Sequence, residues 1–238
     1  MLKFSMHIHT QMRSPCGKVE PKKIVRLYKE KGYDGIIITD HYMKWIFAMN
    51  NMDSNAQKFQ FFIEGYRETL KYGKEQNLMV FLGMELNLCK YNKLNSTYPV
   101  HEFLLYGLSE SFIKEHPDLY ELTQKELFEL CNKNDILMIQ AHPFRPKTAV
   151  ADPEYMHGVE IVNKNKRHDS FDALAQSFCA AHNLISVASD DFHEEEDAGQ
   201  IAMLFPNDTT SMKKIVQYLR EKNYQILETT EKVDINNV

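Results

Sequence analysis

The sequence predicts an α/β fold in which buried strands alternate with amphipathic helices. Short aliphatic or β-branched runs, typical of buried strands, recur along the chain. They cover residues 3–6, 36–39, 78–82, 103–106, 136–139, 159–162, 184–188 and 201–205. Segments with helical periodicity separate several of these runs. Because helical crossovers join parallel strands, this order indicates a mostly parallel sheet, either closed into a barrel or left open.

Four segments carry the helical signals. The first follows Pro21, a residue favoured in the first turn of a helix, and stops before Gly32. The second begins at Thr123, whose spacing to Glu126 is that of a capping box. The other two are the apolar stripes Phe171, Leu174, Ala175, Phe178 and Met212, Ile215, Val216, Leu219.

Length and composition indicate one domain spanning residues 1–238, with a polar tail after about Leu227. A chain of 238 residues with 43% hydrophobic and 26% charged residues can bury one sizeable core. No apolar run approaches the roughly 18 residues needed to span a bilayer, and the first residues do not have the pattern of a signal peptide. We therefore expect a cytoplasmic protein with no membrane partner.

Charge and motif content exclude several classes of function. The formal net charge of −5 argues against a stable nucleic-acid complex, which usually requires a basic face. Neither GxGxxG nor GxxxxGK[ST] follows any predicted strand. This absence argues against the open-sheet proteins that bind nucleotides through these glycine-rich loops. The four cysteines lack CxxC spacing and favour neither a disulfide framework nor a zinc finger.

Histidines and carboxylates follow the predicted strands at their carboxyl ends. His7 and His9 alternate with apolar residues, so in an extended segment both imidazoles face the same side. The others are Asp40, His41, Glu85, His142, Asp191 and His193. In α/β barrels the loops at this end converge on one mouth, which predicts a single site.

His101 precedes a predicted strand instead of following one. The polar stretch from Asn87 to Val100 is too short for a helical crossover, so an antiparallel return is expected. That return would place His101 beside Glu85.

The residue types in this set are those of a hydrolytic metal centre. Imidazoles and carboxylates suit Zn²⁺, Mn²⁺ or Fe²⁺, and carboxylates can bridge two cations. Bridged cations lower the pKa of the water bound to them and stabilise both the attacking and the leaving oxygen of a phosphoryl group. No GxSxG motif and no signature of a thiol nucleophile are present, so the sequence favours attack by water.

Six motifs in order resemble those of the PHP (polymerase and histidinol phosphatase) family. They are His7-Ile8-His9-Thr10, Ile38-Thr39-Asp40-His41, Gly83-Met84-Glu85, His101 with Leu105-Tyr106-Gly107, Ala141-His142-Pro143 and Asp191-Phe192-His193. The resemblance implies a distorted (β/α)7 barrel with its metal site at the C-terminal ends of the strands. It also implies two or three divalent ions (Zn, Mn or Fe) and phosphoesterase activity.

The resemblance also implies how the ligands are shared. His7, His9, Glu85 and Asp191 would hold one metal, Glu85 with His101 and His142 the second, and His41 with His193 the third. In much of the family an Asp-Gly adds a carboxylate to the third site, whereas this chain reads Ser14-Pro15-Cys16-Gly17. Two interpretations of Cys16 stay open: a thiolate ligand, or a partly buried cysteine without a metal contact.

Two further residues are candidates for the catalytic machinery. Asp40 precedes a ligand and either fixes an imidazole or gives a proton to the leaving group; the first role is favoured. Arg145 follows His142 closely, and we interpret its guanidinium as a hydrogen-bond donor to a non-bridging phosphate oxygen. The alternative is a solvated loop arginine.

The expected substrate is the phosphomonoester of a small metabolite or nucleotide. The alternatives are a nuclease or cyclic phosphodiesterase with the same metals, and a metal-binding domain without activity. Residues 42–60, with Trp45, Phe47 and Met49, form either a lid or a helix on the barrel rim; the polar segment 90–98 is a candidate second wall. The sequence does not indicate an oligomeric state.

Overall fold

The computed structural model describes residues 1–89 and 101–228. The segment 90–98 and the tail from residue 229 onwards therefore lie outside the described residues. The strands are β1 (Leu2–Ile8), β2 (Gly35–Ile38), β3 (His41–Tyr42), β4 (Met79–Asn87), β5 (Glu102–Tyr106), β6 (Leu137–Gln140), β7 (Gly158–Asn163), β8 (Ile185–Ser189), β9 (Ile201–Phe205) and β10 (Gln225–Glu228). The helices are α1 (Pro21–Glu30), α2 (Lys44–Met49), α3 (Asn55–Gln76), α4 (Glu110–Glu115), α5 (Gln124–Lys133), α6 (Asp172–Ala181) and α7 (Met212–Arg220).

The strands form a nearly closed barrel, as the sequence predicts. Within the described ranges the wall runs β1, β2, β4, β5, β6, β7, β8. It closes where Ile8 and Phe192 form a parallel bridge, with 3.0 Å hydrogen bonds from His9 N to Phe192 O and from Phe192 N to His7 O. This arrangement confirms the predicted distorted (β/α)7 barrel.

The distortion comes from one reversed strand. β5 is antiparallel to both β4 and β6, whereas the β1–β2, β2–β4, β6–β7 and β7–β8 pairs are parallel. The antiparallel return predicted after Glu85 is thus confirmed, with Asn87 opposite Glu102. β9 and β10 extend the sheet beyond β1, and β10 ends at Glu228, where the predicted tail begins.

Apolar side chains fill the barrel interior and the layer beneath the helices. All four residues of β2 are buried, as expected for a parallel strand covered on both faces. Inside the barrel, the Tyr106 hydroxyl donates to Met6 O at 3.0 Å, so its polar tip is satisfied where the ring is buried. The strand ends that carry the site are therefore fixed by a packed core.

The predicted helices form, with one difference in which residues they bury. α5 has the predicted capping box, and α1 begins at Pro21. Of the stripe predicted for α6, Ala175 is buried and Phe178 packs partly buried against the core, whereas Leu174 and the N-cap residue Phe171 are 52% and 44% exposed. The apolar stripe at the start of α6 does not face the core.

Helices α2 and α3 occupy the stretch that follows His41. In α2, Phe47 is buried against Tyr42 while Trp45 and Met49 are exposed, so this segment is a helix packed on the rim. The 22-residue α3, which the sequence patterns did not single out, starts with a capping box at Ser54. No helix among the described residues is long and apolar enough to cross a bilayer.

Candidate metal centre

The structure brings most of the predicted ligands to the C-terminal mouth of the barrel. His7 and His9 come from the end of β1, Glu85 from β4, and Asp191 from the loop after β8. His7 and Glu85 lie within their strands and not beyond them, because β1 and β4 extend further than the apolar runs indicate. His41, His142 and His193 come from neighbouring strand ends and loops.

Glu85 lies at the centre of the site. Its Oε1 is 3.1 Å from His142 Nε2 and 3.5 Å from His7 Nε2. Its Oε2 is 3.3 Å from His9 Nε2 and 2.8 Å from His41 Nδ1. The carboxylate thus presents one oxygen to each of two pairs of imidazoles, which is the arrangement a bridging ligand requires.

Asp191 closes the inner part of the site. Its Oδ1 is 3.3 Å from His7 Nε2 and 3.5 Å from His9 Nε2. Its Oδ2 accepts hydrogen bonds from Asn163 Nδ2, at 3.2 Å, and from the Arg145 guanidinium. The second oxygen is fixed by these donors, so Oδ1 alone faces the imidazoles.

Two of these loop residues have an unusual backbone conformation. His142 has φ +28° and Asp191 has φ +47°, values that side-chain-bearing residues rarely adopt. Such conformations cost on the order of 1–3 kcal/mol each and concentrate at functional sites. Packing of the barrel therefore holds both residues against a local conformational preference.

A buried carboxylate that the sequence motifs missed supports His7 from behind. Glu160 Oε1 is 3.2 Å from His7 Nδ1, while its Oε2 accepts from His142 N at 2.9 Å and from Asn163 Nδ2 at 2.7 Å. A carboxylate behind an imidazole orients the ring and raises its basicity. The sequence signal was a charged residue within the apolar run 159–162.

Asp40 acts on the site through Ser14. It is buried and accepts from Thr10 N and Thr10 Oγ1, both at 2.7 Å, and from Ser14 Oγ at 2.8 Å. Since the Ser14 hydroxyl proton goes to Asp40, Ser14 Oγ accepts from His9 Nδ1 at 3.0 Å. The Nε2 lone pair of a neutral His9 then points toward Glu85 and Asp191.

The glycine at position 65 of α3 allows this arrangement. A Cβ there would lie 2.4 Å from Asp40 Oδ2 and 2.6 Å from Thr10 Oγ1. Any side chain at Gly65 would displace the Asp40–Thr10 pair, so α3 takes part in positioning His9.

The site is strongly polarised. Burial alone would lower the pKa of His7, but attraction to Asp191, Glu85 and Glu160 outweighs it and raises this pKa well above its ordinary value. Burial would raise the pKa of Glu85, but His41, His7 and His142 hold it well below its usual range. Perturbed groups concentrated in one place are typical of functional sites.

A second group lies further toward the mouth. Cys16 Sγ is 3.2 Å from His41 Nε2, and the ligand atoms of His9, Cys16, His41 and His193 all lie within 4.8 Å of one another. Burial would raise the pKa of the Cys16 thiol, but the hydrogen bond and charge of His41, with the charge of His9, lower it. The two neighbouring imidazoles therefore favour the ionised form of the Cys16 thiol.

Two candidate ligands, His101 and Glu102, lie at the start of β5. Among the described residues, His101 belongs to none of the groups of converging ligand atoms, whereas Glu102 forms one with His41 and Glu85. Glu102 Oε2 is 3.8 Å from His142 Nε2. The assignment of His101 to the second metal stays a prediction.

The donor atoms fit divalent cations. Oε2 of Glu85 and Nδ1 of His41 are buried without a hydrogen-bond partner among the described residues, although they are only 2.8 Å apart. Buried polar atoms are rarely left unsatisfied. A cation bound at Glu85 Oε2 would satisfy that oxygen, and His/Asp/Glu donors are the types that Zn²⁺, Mn²⁺ and Fe²⁺ accept.

Several solved structures share this fold at low sequence identity. A two-domain protein from Bacteroides vulgatus, described as containing a predicted PHP-like metal-dependent phosphoesterase, matches with 18% identity and a TM-score of 0.62 over 95% of this chain and 64% of that one. This chain thus spans just under two thirds of that relative. PsfC from Pseudomonas syringae matches with 14% identity and a TM-score of 0.68 over 97% and 93% of the two chains.

An amidohydrolase from Chromobacterium violaceum, with sulfate bound and no metal, matches with 11% identity and a TM-score of 0.53 over 96% and 98% of the two chains. At these identities the likeness concerns the fold alone. No curated protein gives a significant match. The profile of the PHP domain family matches residues 5–205, which contain all the predicted ligands. The chain belongs to the PHP domain family.

Proposed function

We propose that this protein is a metal-dependent phosphoesterase that hydrolyses the phosphomonoester of a small metabolite or nucleotide. The observation that carries the proposal is the position of Glu85, whose two oxygens face two separate pairs of imidazoles. Such a carboxylate can hold two cations close enough to act on one phosphoryl group.

We assign the ligands by whether they lie next to Asp191 as well as Glu85. His7, His9 and Asp191 with Glu85 form the inner set. A second set lies beside Glu85 Oε1, with His142 and with either His101, as the family resemblance implies, or Glu102, as the distances favour. When bound, divalent cations would supply a water of lowered pKa and positive charge facing the phosphate.

Arg145 binds the phosphate in this proposal. Its guanidinium is held by Asp191 and by Asn163 Oδ1 at 3.1 Å, so it points into the site and is not a solvated loop residue. Its Nε is buried and has no acceptor among the described residues. That nitrogen is a donor for a non-bridging phosphate oxygen.

Asp40 is a positioning residue in this proposal. Both of its oxygens are occupied by Thr10 and Ser14, so it orients His9 through Ser14 and is not placed to protonate a leaving group. The net charge of −5 supports a small substrate over a nucleic acid, since no excess of basic residues is present to neutralise a phosphate backbone.

Released phosphate tests the proposal. Metal-free protein is reloaded separately with Mn²⁺, Zn²⁺ and Fe²⁺ and assayed on a panel of phosphomonoesters and phosphodiesters. We expect turnover of monoesters, lost on chelation and restored by metal. Activity on diesters alone would show that the protein is a phosphodiesterase and not a phosphomonoesterase. Absence of all activity from a fully metal-loaded protein would contradict the proposal.

An arginine variant separates substrate binding from metal binding. Arg145→Ala should raise KM and lower kcat/KM by roughly 10²-fold, because a charge-assisted donor to the phosphate is lost. Its metal content should remain that of the wild type. An unchanged kcat/KM in this variant would show that Arg145 does not bind the phosphate.

A further inference from the structure

We infer that Cys16, His41 and His193 form a metal site of their own in which a thiolate ligand selects Zn²⁺ or Co²⁺ over Mn²⁺. The inference deepens the proposed function, since the site lies at the same mouth. The first observation in support is that the ligand atoms of these three residues and of His9 all lie within 4.8 Å of one another. The Cys16 Sγ is 3.2 Å from His41 Nε2.

His9 does not belong to this site as a ligand. Its Nδ1 donates to Ser14 Oγ, and its Nε2 faces Glu85 at 3.3 Å and Asp191 at 3.5 Å. One imidazole nitrogen binds one cation, so His9 serves the inner set. The three remaining ligands leave a fourth position open, as is typical of a catalytic zinc site.

His193 has the tautomer that a ligand needs. Its Nδ1 is 2.7 Å from Asp191 O, a carbonyl that can only accept, and 3.2 Å from Asn165 Nδ2, which donates to the same carbonyl. The shorter contact places the proton on Nδ1. The lone pair is then on Nε2, which is free to bind a metal. The backbone that carries the inner ligand Asp191 thus also orients a ligand of the outer site.

The loop that carries Cys16 is fixed on both sides of the site. Lys18 N donates to His193 O at 2.8 Å, and His41 N donates to Ser14 Oγ at 3.1 Å. The turn is too tight for a side chain at Gly17, where a Cβ would lie 2.7 Å from Thr10 O. Cys16 is therefore held between the two histidines by hydrogen bonds from its loop to both of their segments.

The choice of cysteine sets the metal preference. A thiolate gives the site the same single negative charge as a carboxylate would, but it is a soft donor. Soft thiolates favour Zn²⁺ and similar ions, whereas Mn²⁺ prefers oxygen donors. The inner set, with two carboxylates and no sulfur, lacks this discrimination, so the two parts of the mouth should fill with different metals.

Cobalt substitution tests the site without any activity measurement. Metal-free protein is titrated with Co²⁺, and the thiolate-to-cobalt charge-transfer absorption in the near ultraviolet is recorded with metal content per chain. Wild type should show the band, and Cys16→Ser should lose it along with one ion per chain. Cys89→Ser is the matched control, because Cys89 is the other partly buried cysteine and should leave both readouts unchanged.

A carboxylate variant tests the selectivity. Cys16→Asp should keep the metal count, lose the charge-transfer band and reduce the preference for Zn²⁺ over Mn²⁺ by on the order of tenfold in a competition titration. A wild-type protein that is fully loaded with Co²⁺ without the band, or a Cys16→Ser variant that retains band and ion, would overturn the inference. Phosphatase activity enters neither readout, so its absence would count against the proposed function alone.

Discussion

The inner and outer sides of the candidate centre are built on different principles. The inner side, His7, Glu85 and Asp191, stands mostly on strands and is backed by the buried carboxylate of Glu160. The outer side, Cys16, His41 and His193, stands largely on loops and is oriented by backbone carbonyls and amides. Apart from His41, which faces Glu85, the outer ligands have neutral supports. Changes to the charged support of the inner side should therefore weaken metal binding, whereas outer substitutions should change which metal binds.

The largest effect should follow from neutralising an inner ligand. Asp191→Asn should lose inner metal and lower phosphate release by at least about 10³-fold, because the oxygen facing His7 and His9 loses its charge. Metal content per chain and kcat, measured on the same preparation, would show both losses. Full activity with full metal content would mean that the inner side does not carry the chemistry.

Asp190→Asn is the matched control for that variant. Asp190 is the adjacent residue and equally buried, but its carboxylate accepts from Tyr28 Oη and the amides of Gly199, Gln200 and Ile201. Burial raises its pKa to about 6 in spite of these hydrogen bonds. Asn there should cost about 1–3 kcal/mol of unfolding free energy with metal content retained.

Glu160→Gln tests the charged support of the inner side. The amide keeps the shape but removes the charge behind His7, and we expect inner metal affinity to fall by about 10–100-fold. Affinity for Co²⁺ at the Cys16 site, followed by its charge-transfer band, should change much less. Equal losses on both sides would break the distinction between them.

Ser14→Ala should have a smaller effect that is shared by both sides. Ser14 Oγ accepts from His9 Nδ1 and from His41 N, so the variant loosens one imidazole of the inner set and one loop of the outer set. We expect a several-fold loss of metal affinity on each side, equivalent to about 1 kcal/mol. A loss confined to one side would show that Ser14 supports only that side.

Much of the inner side could be predicted from the sequence because its ligands follow strands. His7 and His9 alternate in an apolar run, and Asp191 follows another, so strand periodicity alone brings them together. Glu160 was missed because a single charge in an apolar run has no motif, and its burial becomes favourable only once His7 and His142 are placed against it.

The outer side depended on features that periodicity does not contain. The position of Cys16 follows from the turn at Gly17 and from the hydrogen bond of Lys18 to His193, which joins segments far apart in sequence. The positive φ of His142 and of Asp191 is likewise imposed by the barrel. Glu102 could be placed at the site only from the register of β5, in which it lies opposite Asn87.

The last comparison concerns a histidine outside both sides, which shows what a partly buried imidazole contributes. His157 Nδ1 accepts from Met138 N at 3.0 Å and its Nε2 is 2.9 Å from Asn132 Oδ1. Burial, with the charge of Arg220, lowers its pKa from 6.5 to about 4. The unfolded chain therefore binds the proton more readily, and stability is lost as pH falls from about 6.5 toward 4.

His157→Gln should remove this contribution without affecting metal binding. Because the side chain is partly exposed, solvent screening leaves an expected difference of about 1–2 kcal/mol between pH 7 and pH 4. Denaturant unfolding of wild type and variant across this range gives the difference directly. A variant with the same acid sensitivity as the wild type would assign that sensitivity to site carboxylates such as Glu85, whose pKa in the folded protein lies well below its usual range.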